Sequence, residues 1–265
     1  MGFFNRNFDR PGPGVDKNAP RKTGPARFFE VVGRDGGNFF KASLLCLLGF
    51  IPWALLVGIG VIGESMPFAL LGGLVGGVIA GPTLAGMNDT VLRSLRDEPG
   101  FWWHTYKRAF KNNWRASLAP GGLLGLLCAG QLFLLWCLTM GLVQADLPMG
   151  VMLGLNLLLT TMCAPFVFGQ LVMMDLPFGQ LLKNSLFLAL GHSPWALVMA
   201  LVQILYWGAT LFFFPYTLVT LVALGFALPT VICQQIAWRI MDKIFGLEDQ
   251  FRQKREAQLA EETRE

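Results

Sequence analysis

Residues 184–238 read NSLFLALGHSPWALVMALVQILYWGATLFFFPYTLVTLVALGFALPTVICQQIAW, 55 positions without one Asp, Glu, Lys or Arg. A helical pass through a hydrocarbon core of ~30 Å takes about 20 apolar residues. The run therefore holds at most two passes and a short extra segment. Residues 118–174 have the same character, with Asp146 as their single charge. These stretches set the class, an all-α membrane protein. Of the 265 residues, 54% are hydrophobic and 14% charged, against roughly 45–50% and 25% in soluble domains. Mean hydropathy is +0.51. A conventional soluble enzyme and a disordered chain are excluded. So is a disulfide scaffold, because Cys46, Cys128, Cys137, Cys163 and Cys233 are too sparse. All five cysteines lie in apolar runs without a CxxC partner or a neighbouring His pair, so no metal or cofactor is expected.

Working outward, hydropathy predicts six passes at roughly 42–62, 68–87, 118–143, 149–174, 195–214 and 216–238. Residues 1–27 form a polar leader rich in Pro, Gly, Asn and Arg. The first apolar stretch starts at Ala42, too late for a cleavable secretory signal. Residues 28–238 are the transmembrane domain, and 239–265 an amphipathic, charged tail in which Ile240, Ile244, Leu247 and Phe251 share one face.

Charge orients this scheme. The N-terminal segment, the 88–117 loop, the 175–194 loop and the C-terminal segment hold eight, six, one and six Lys or Arg, which is all 21 in the chain. The opposite side has only Glu64 and Asp146. Cytoplasmic loops collect Lys and Arg, so both termini are expected in the cytoplasm. Shifting residues 28–44 by 74 positions lays FFEVVGRDGGNFFKASL over WWHTYKRAFKNNWRASL, which suggests an internal repeat. A proline recurs in the second, fourth and sixth passes, at Pro82, Pro165 and Pro229. The expected architecture is three hairpins, each preceded by a cytoplasmic interfacial helix.

Three groups of residues are candidates for function. In the basic amphipathic segment 101–115, Trp102, Tyr106, Phe110 and Trp114 form a stripe beside Trp103, while Lys107, Arg108, Lys111 and Arg115 take the other faces. Such a helix suits a lipid headgroup boundary or a docked partner protein. Topology already accounts for the positive loop, so nucleic-acid binding is not expected. In the second pass, Gly72, Gly73, Gly76, Gly77 and Gly81 form small-xxx-small pairs that let backbones approach, against another pass or another subunit. Gln131, Asn156 and Gln203 are intramembrane amides, which could hold a neutral polar solute or bond helix to helix. The only histidines, His104 and His192, lie outside the passes, and no catalytic set can be assembled.

The stretch GPTLAGMNDTVLRSLRDEPGFWWHTYKRAFKNNWRASL, residues 81–118, resembles the YesL-like family of bacterial membrane proteins. A Pro-containing helix end, Val91-Leu92-Arg93, the link Arg96-Asp97-Glu98 and the aromatic-basic helix carry the likeness, with Pro82, Arg93, Phe101, Phe110 and Trp114 matching the motif. The resemblance implies a protein of the bacterial cytoplasmic membrane associated with carbohydrate uptake or utilisation, without established activity or catalytic residues. The expected function is that of a non-enzymatic accessory or regulatory component, with lipid and a transport ATPase or other membrane protein as partners. A small permease for a neutral solute such as a sugar is the alternative.

Overall fold

The computed structural model describes residues 21–253 apart from Pro99, Ala145 and Arg252. Most of the leader and the end of the tail lie outside the described residues. Among those described, the chain is helical with no strand. The elements are α1 (Pro25–Ile62), α2 (Met66–Leu95), α3 (Trp102–Thr139), α4 (Leu147–Met173), α5 (Phe178–Gly191), α6 (Ser193–Phe212), α7 (Leu218–Leu224) and α8 (Ala227–Phe245). Five of them, α1, α2, α3, α4 and α6, are long and apolar enough to cross a membrane.

α1 and α3 each have 38 residues, about 57 Å at 1.5 Å per residue against a core of ~30 Å. The segments expected as separate interfacial helices, 28–41 and 101–115, instead run unbroken into the apolar part. The junctions Lys41-Ala42-Ser43-Leu44 and Arg115-Ala116-Ser117-Leu118 contain no glycine or proline to stop a helix. The third such segment does break. α5 ends at Gly191, His192 adopts φ −121° and ψ 41°, and Pro194 opens α6. Asp146, the lone charge of its stretch, caps α4 by accepting from the Met149 N–H at 3.0 Å.

The stretch expected as a sixth pass is divided between α7 and α8, and α8 runs past Trp238 to Phe245. Pro229 explains the division. It has no N–H for the Gly225 carbonyl, and its ring crowds that residue. At the bend the Phe226 N–H donates to Ser43 Oγ of α1 at 3.1 Å instead. α8 stops at Gly246, whose φ of +58° suits glycine and whose N–H donates to the Asp242 carbonyl at 2.7 Å.

α2 is the central helix, with 50% of its apolar window buried against 17% for α6. Its glycines divide between two faces. Gly72 and Gly76 lie against Leu56 and Trp53 of α1, while Gly73, Gly77 and Gly81 lie against Ala129, Gly125, Gly121 and Ser117 of α3. Both neighbours run antiparallel to α2, and both belong to this chain. Where the glycines let α1 in, the Trp53 indole N–H reaches across to the Gly125 carbonyl at 3.0 Å. Outward, Leu55, Ile59, Leu71, Leu155, Leu201 and Leu205 are exposed, more contiguous apolar surface than a soluble monomer presents. The chain is a multi-pass helical protein suited to a membrane.

Candidate functional site

The three predicted amides do not form one site. Gln131 Nε2 donates to Asn156 Oδ1 at 3.1 Å and lies 3.4 Å from Thr160 Oγ1, and that hydroxyl also donates to Asn156 Oδ1, at 3.1 Å. This is a closed interhelical cluster between α3 and α4. Gln203 is elsewhere, donating to the Thr161 carbonyl at 2.6 Å and to the Met199 carbonyl at 3.3 Å. Thr161 is four residues before Pro165, so its carbonyl has lost its helical N–H donor. Gln203 supplies that donor from α6.

A second set of amides is absent from the sequence reading. Gln234 of α8, 1% exposed, donates from Nε2 to Asn88 Oδ1 at 2.6 Å and to the Pro165 carbonyl at 2.8 Å. It thereby joins α2, α4 and α8. Gln170, fully buried, donates to Ser185 Oγ at 2.9 Å and to the Phe166 carbonyl at 3.2 Å, which ties α5 to α4. The signal was present, since Asn88, Gln170 and Gln234 each follow Pro82, Pro165 or Pro229 by five or six positions.

The aromatic stripe of α3 divides in two. Trp102 is half-buried with Lys41 Nζ over its ring at 5.3 Å, and Tyr106 is buried against Gly86. Phe110 and Trp114 are exposed, as is Trp103. Four-residue steps at 3.6 residues per turn drift by about 40° each, so the stripe turns by a third of a circle along its length. Its first half enters the core and its second leaves it. Lys107, Arg108, Lys111 and Arg115 are all exposed, and none makes an ion pair among the described residues. Arg115 lies over the Trp114 ring at 5.1 Å.

Behind that face, an ionic network locks the charged end of α1 to the α2–α3 link. Asp97 receives Arg27 Nη2 at 2.7 Å, Arg21 Nε at 3.0 Å and Arg34 Nη1. Arg27, 5% exposed, also donates to the Leu95 carbonyl at 2.9 Å. On α2 and beyond it, Arg93 bridges Asp89 and Glu98, and the Arg96 guanidinium stacks 4.4 Å from the Phe251 ring. Burial pushes the Asp97 carboxyl up, but hydrogen bonds and charge from Arg34 and Arg27 outweigh this and hold it below the ordinary carboxylate range.

The lowered value makes Asp97 a stabilising group above the unfolded carboxylate pKa of ~3.9, lost as pH falls through the folded value. Asp97→Asn is therefore expected to unfold at a lower temperature than the parent at neutral pH. The gap should close on acidification below the ordinary carboxylate range. Asparagine tolerates the φ of +56° at this position, so the charge is what changes. A gap that is constant with pH would refute the assignment.

The cysteines are unpaired, with Cys46, Cys137 and Cys233 buried. No cluster of three or more metal-ligating side chains occurs among the described residues. Comparison with known proteins finds no matching family model, no matching curated protein and no matching solved structure.

Proposed function

We propose that the chain is a non-enzymatic accessory or regulatory component of the bacterial cytoplasmic membrane, linked to carbohydrate uptake or utilisation. In this reading α7 and α8 together make a sixth pass. The six passes then form three hairpins, two of them descended from one repeated unit, with both termini in the cytoplasm. The carbohydrate link rests on the resemblance of residues 81–118 alone. The observation that supports docking is the exposed face of α3, where four cations without ion pairs among the described residues stand beside Trp103, Phe110 and Trp114. That surface suits anionic headgroups, at about 1 kcal/mol per cation near a membrane, and an acidic partner such as a transport ATPase. The permease alternative loses support because Gln131 and Asn156 satisfy each other and Gln203 serves the Thr161 carbonyl.

The test is a charge reversal of Lys107, Arg108 and Lys111 together, in full-length protein expressed in its native membrane. The expected result is loss of a co-purifying transport ATPase while the protein keeps its helicity and yield, since all three side chains are solvent-facing. Undiminished recovery of the partner would overturn the proposal. So would sugar flux into liposomes containing only this chain.

A further inference from the structure

A cleft of about 250 Å³ opens at the charged end between residues 21–27, the end of α2 and α8. Lys22, Arg239 and Lys243 line it, are exposed, and make no side-chain hydrogen bond or ion pair among the described residues. The other cations in its wall are committed. Arg21 bridges Asp97 and Glu248, and Arg27 bridges Glu30 and Asp97. Of the two acids in the wall, Glu248 is neutralised by Arg21 at 2.6 Å. The other, Asp242, accepts the Glu248 backbone N–H at 2.7 Å and is in no ion pair among the described residues. Three uncommitted cations and one carboxylate leave a surplus of two positive charges.

The cleft is also built. Gln235 Nε2 donates to the Gly24 carbonyl at 2.8 Å, so the segment bearing Lys22 is fastened to the helix bearing Arg239. Leu95 and Trp238 supply an apolar wall. The volume is just under the ~300 Å³ at which ordinary small-molecule sites begin, which fits a headgroup-sized ligand.

We propose that this cleft binds a phosphomonoester. Such a group carries about −1.5 to −2 charges near pH 7 with three acceptor oxygens, matching the surplus. Arg239 offers a planar fork for two oxygens, and Lys22 and Lys243 act as point charges around the third. The phosphomonoester belongs either to a phosphatidate-type lipid headgroup or to a soluble phosphorylated solute. The site does not depend on the accessory role, because it shares no residue with the exposed face of α3.

The test uses the full chain in phosphatidylcholine nanodiscs. In one arm glycerol 1-phosphate is titrated calorimetrically. In the other, phosphatidate is added to the bilayer and its retention is counted by native mass spectrometry. One phosphomonoester per chain is expected in at least one arm. Binding to glycerol 1-phosphate assigns a soluble ligand, and retention of phosphatidate alone assigns the headgroup. K22Q/R239Q/K243Q should weaken binding by about a hundredfold or more in whichever arm shows it, and by far more than K107Q/R108Q/K111Q, which removes equal charge from α3. If the first triple variant fails to fold, R239Q alone should weaken binding by about tenfold. No binding in either arm, or equal loss in both triple variants, overturns the proposal.

Discussion

Gly77→Leu is expected to lower the unfolding temperature of the detergent-solubilised chain by about 10 °C, a loss of about 3 kcal/mol or more. A Cβ at Gly77 would stand 2.8 Å from Gly125 Cα and nearer still to the Gly121 carbonyl oxygen. Both obstacles are backbone, so no side-chain rotation relieves the clash, and α2 and α3 must move apart. Separation forfeits the close packing on which helix association in lipid depends, since lipid tails offer no competing hydrophobic drive. The damage should spread, because Gly76 on the adjoining face of α2 seats Trp53, whose indole is bonded to Gly125 of α3. Gly154→Leu is the control, since a Cβ there meets nothing within 4 Å. Equal melting of the two variants would show that the seam does not hold the bundle.

Arg27→Met is the second large effect. Removing one member of a buried ion pair costs about 3–5 kcal/mol. The lower figure applies, because Asp97 is 33% exposed and keeps Arg21 and Arg34. The variant leaves the Leu95 carbonyl without its guanidinium donor and Glu30 without its cation. Thermal unfolding of the full chain measures the loss, and limited proteolysis should show earlier cleavage in the α2–α3 link. Arg27→Lys is expected to restore only part, since an ammonium cannot serve three acceptors in the same geometry. The double variant R27M/D97N should lose less than the sum of the two single losses, because both remove the same contact. A stability for Arg27→Met equal to that of Lys111→Met, at an exposed position with no ion pair among the described residues, would refute the clamp.

Much of the span pattern was legible, and the reasons lie in particular residues. Predicted passes at 68–87, 149–174 and 195–214 fall within or closely over α2, α4 and α6, because acidic residues flank the first two and Pro194 and Pro215 flank the uncharged third. The merging of 28–41 and 101–115 into α1 and α3 was less visible. Polarity changes at Lys41 and Arg115, and the backbone has no reason to stop there. The stretch 216–238 reads as one apolar run, yet Pro229 divides it, and only the position of Ser43 shows where the displaced N–H goes.

The candidate sites were harder to see, since the sequence lists polar residues without their partners. In the sequence Gln203 reads as one of three intramembrane amides, with Gln131 and Asn156, that could share a site. Its purpose follows from Pro165 only once α6 is placed beside α4. The amides following each proline were countable in advance, although nothing local says that Gln234 meets Asn88 at 146 positions' remove. The glycines of α2 announced close approach, but their division between α1 and α3 depends on tertiary register.

The unbroken course of α1 and α3 has a mechanical consequence. Each outreaches the oily layer by about 27 Å, and α2 grips both along their length. A rod held in this way behaves as a lever with its fulcrum at the bilayer surface. Reorienting the bundle by about 10°, within the span of tilts that passes adopt as lipid thickness varies, would swing the outer tips sideways by about 5 Å. Thinning or thickening of the lipid layer would thus be reported, as displacement, at the aromatic and cationic face carried by the end of α3.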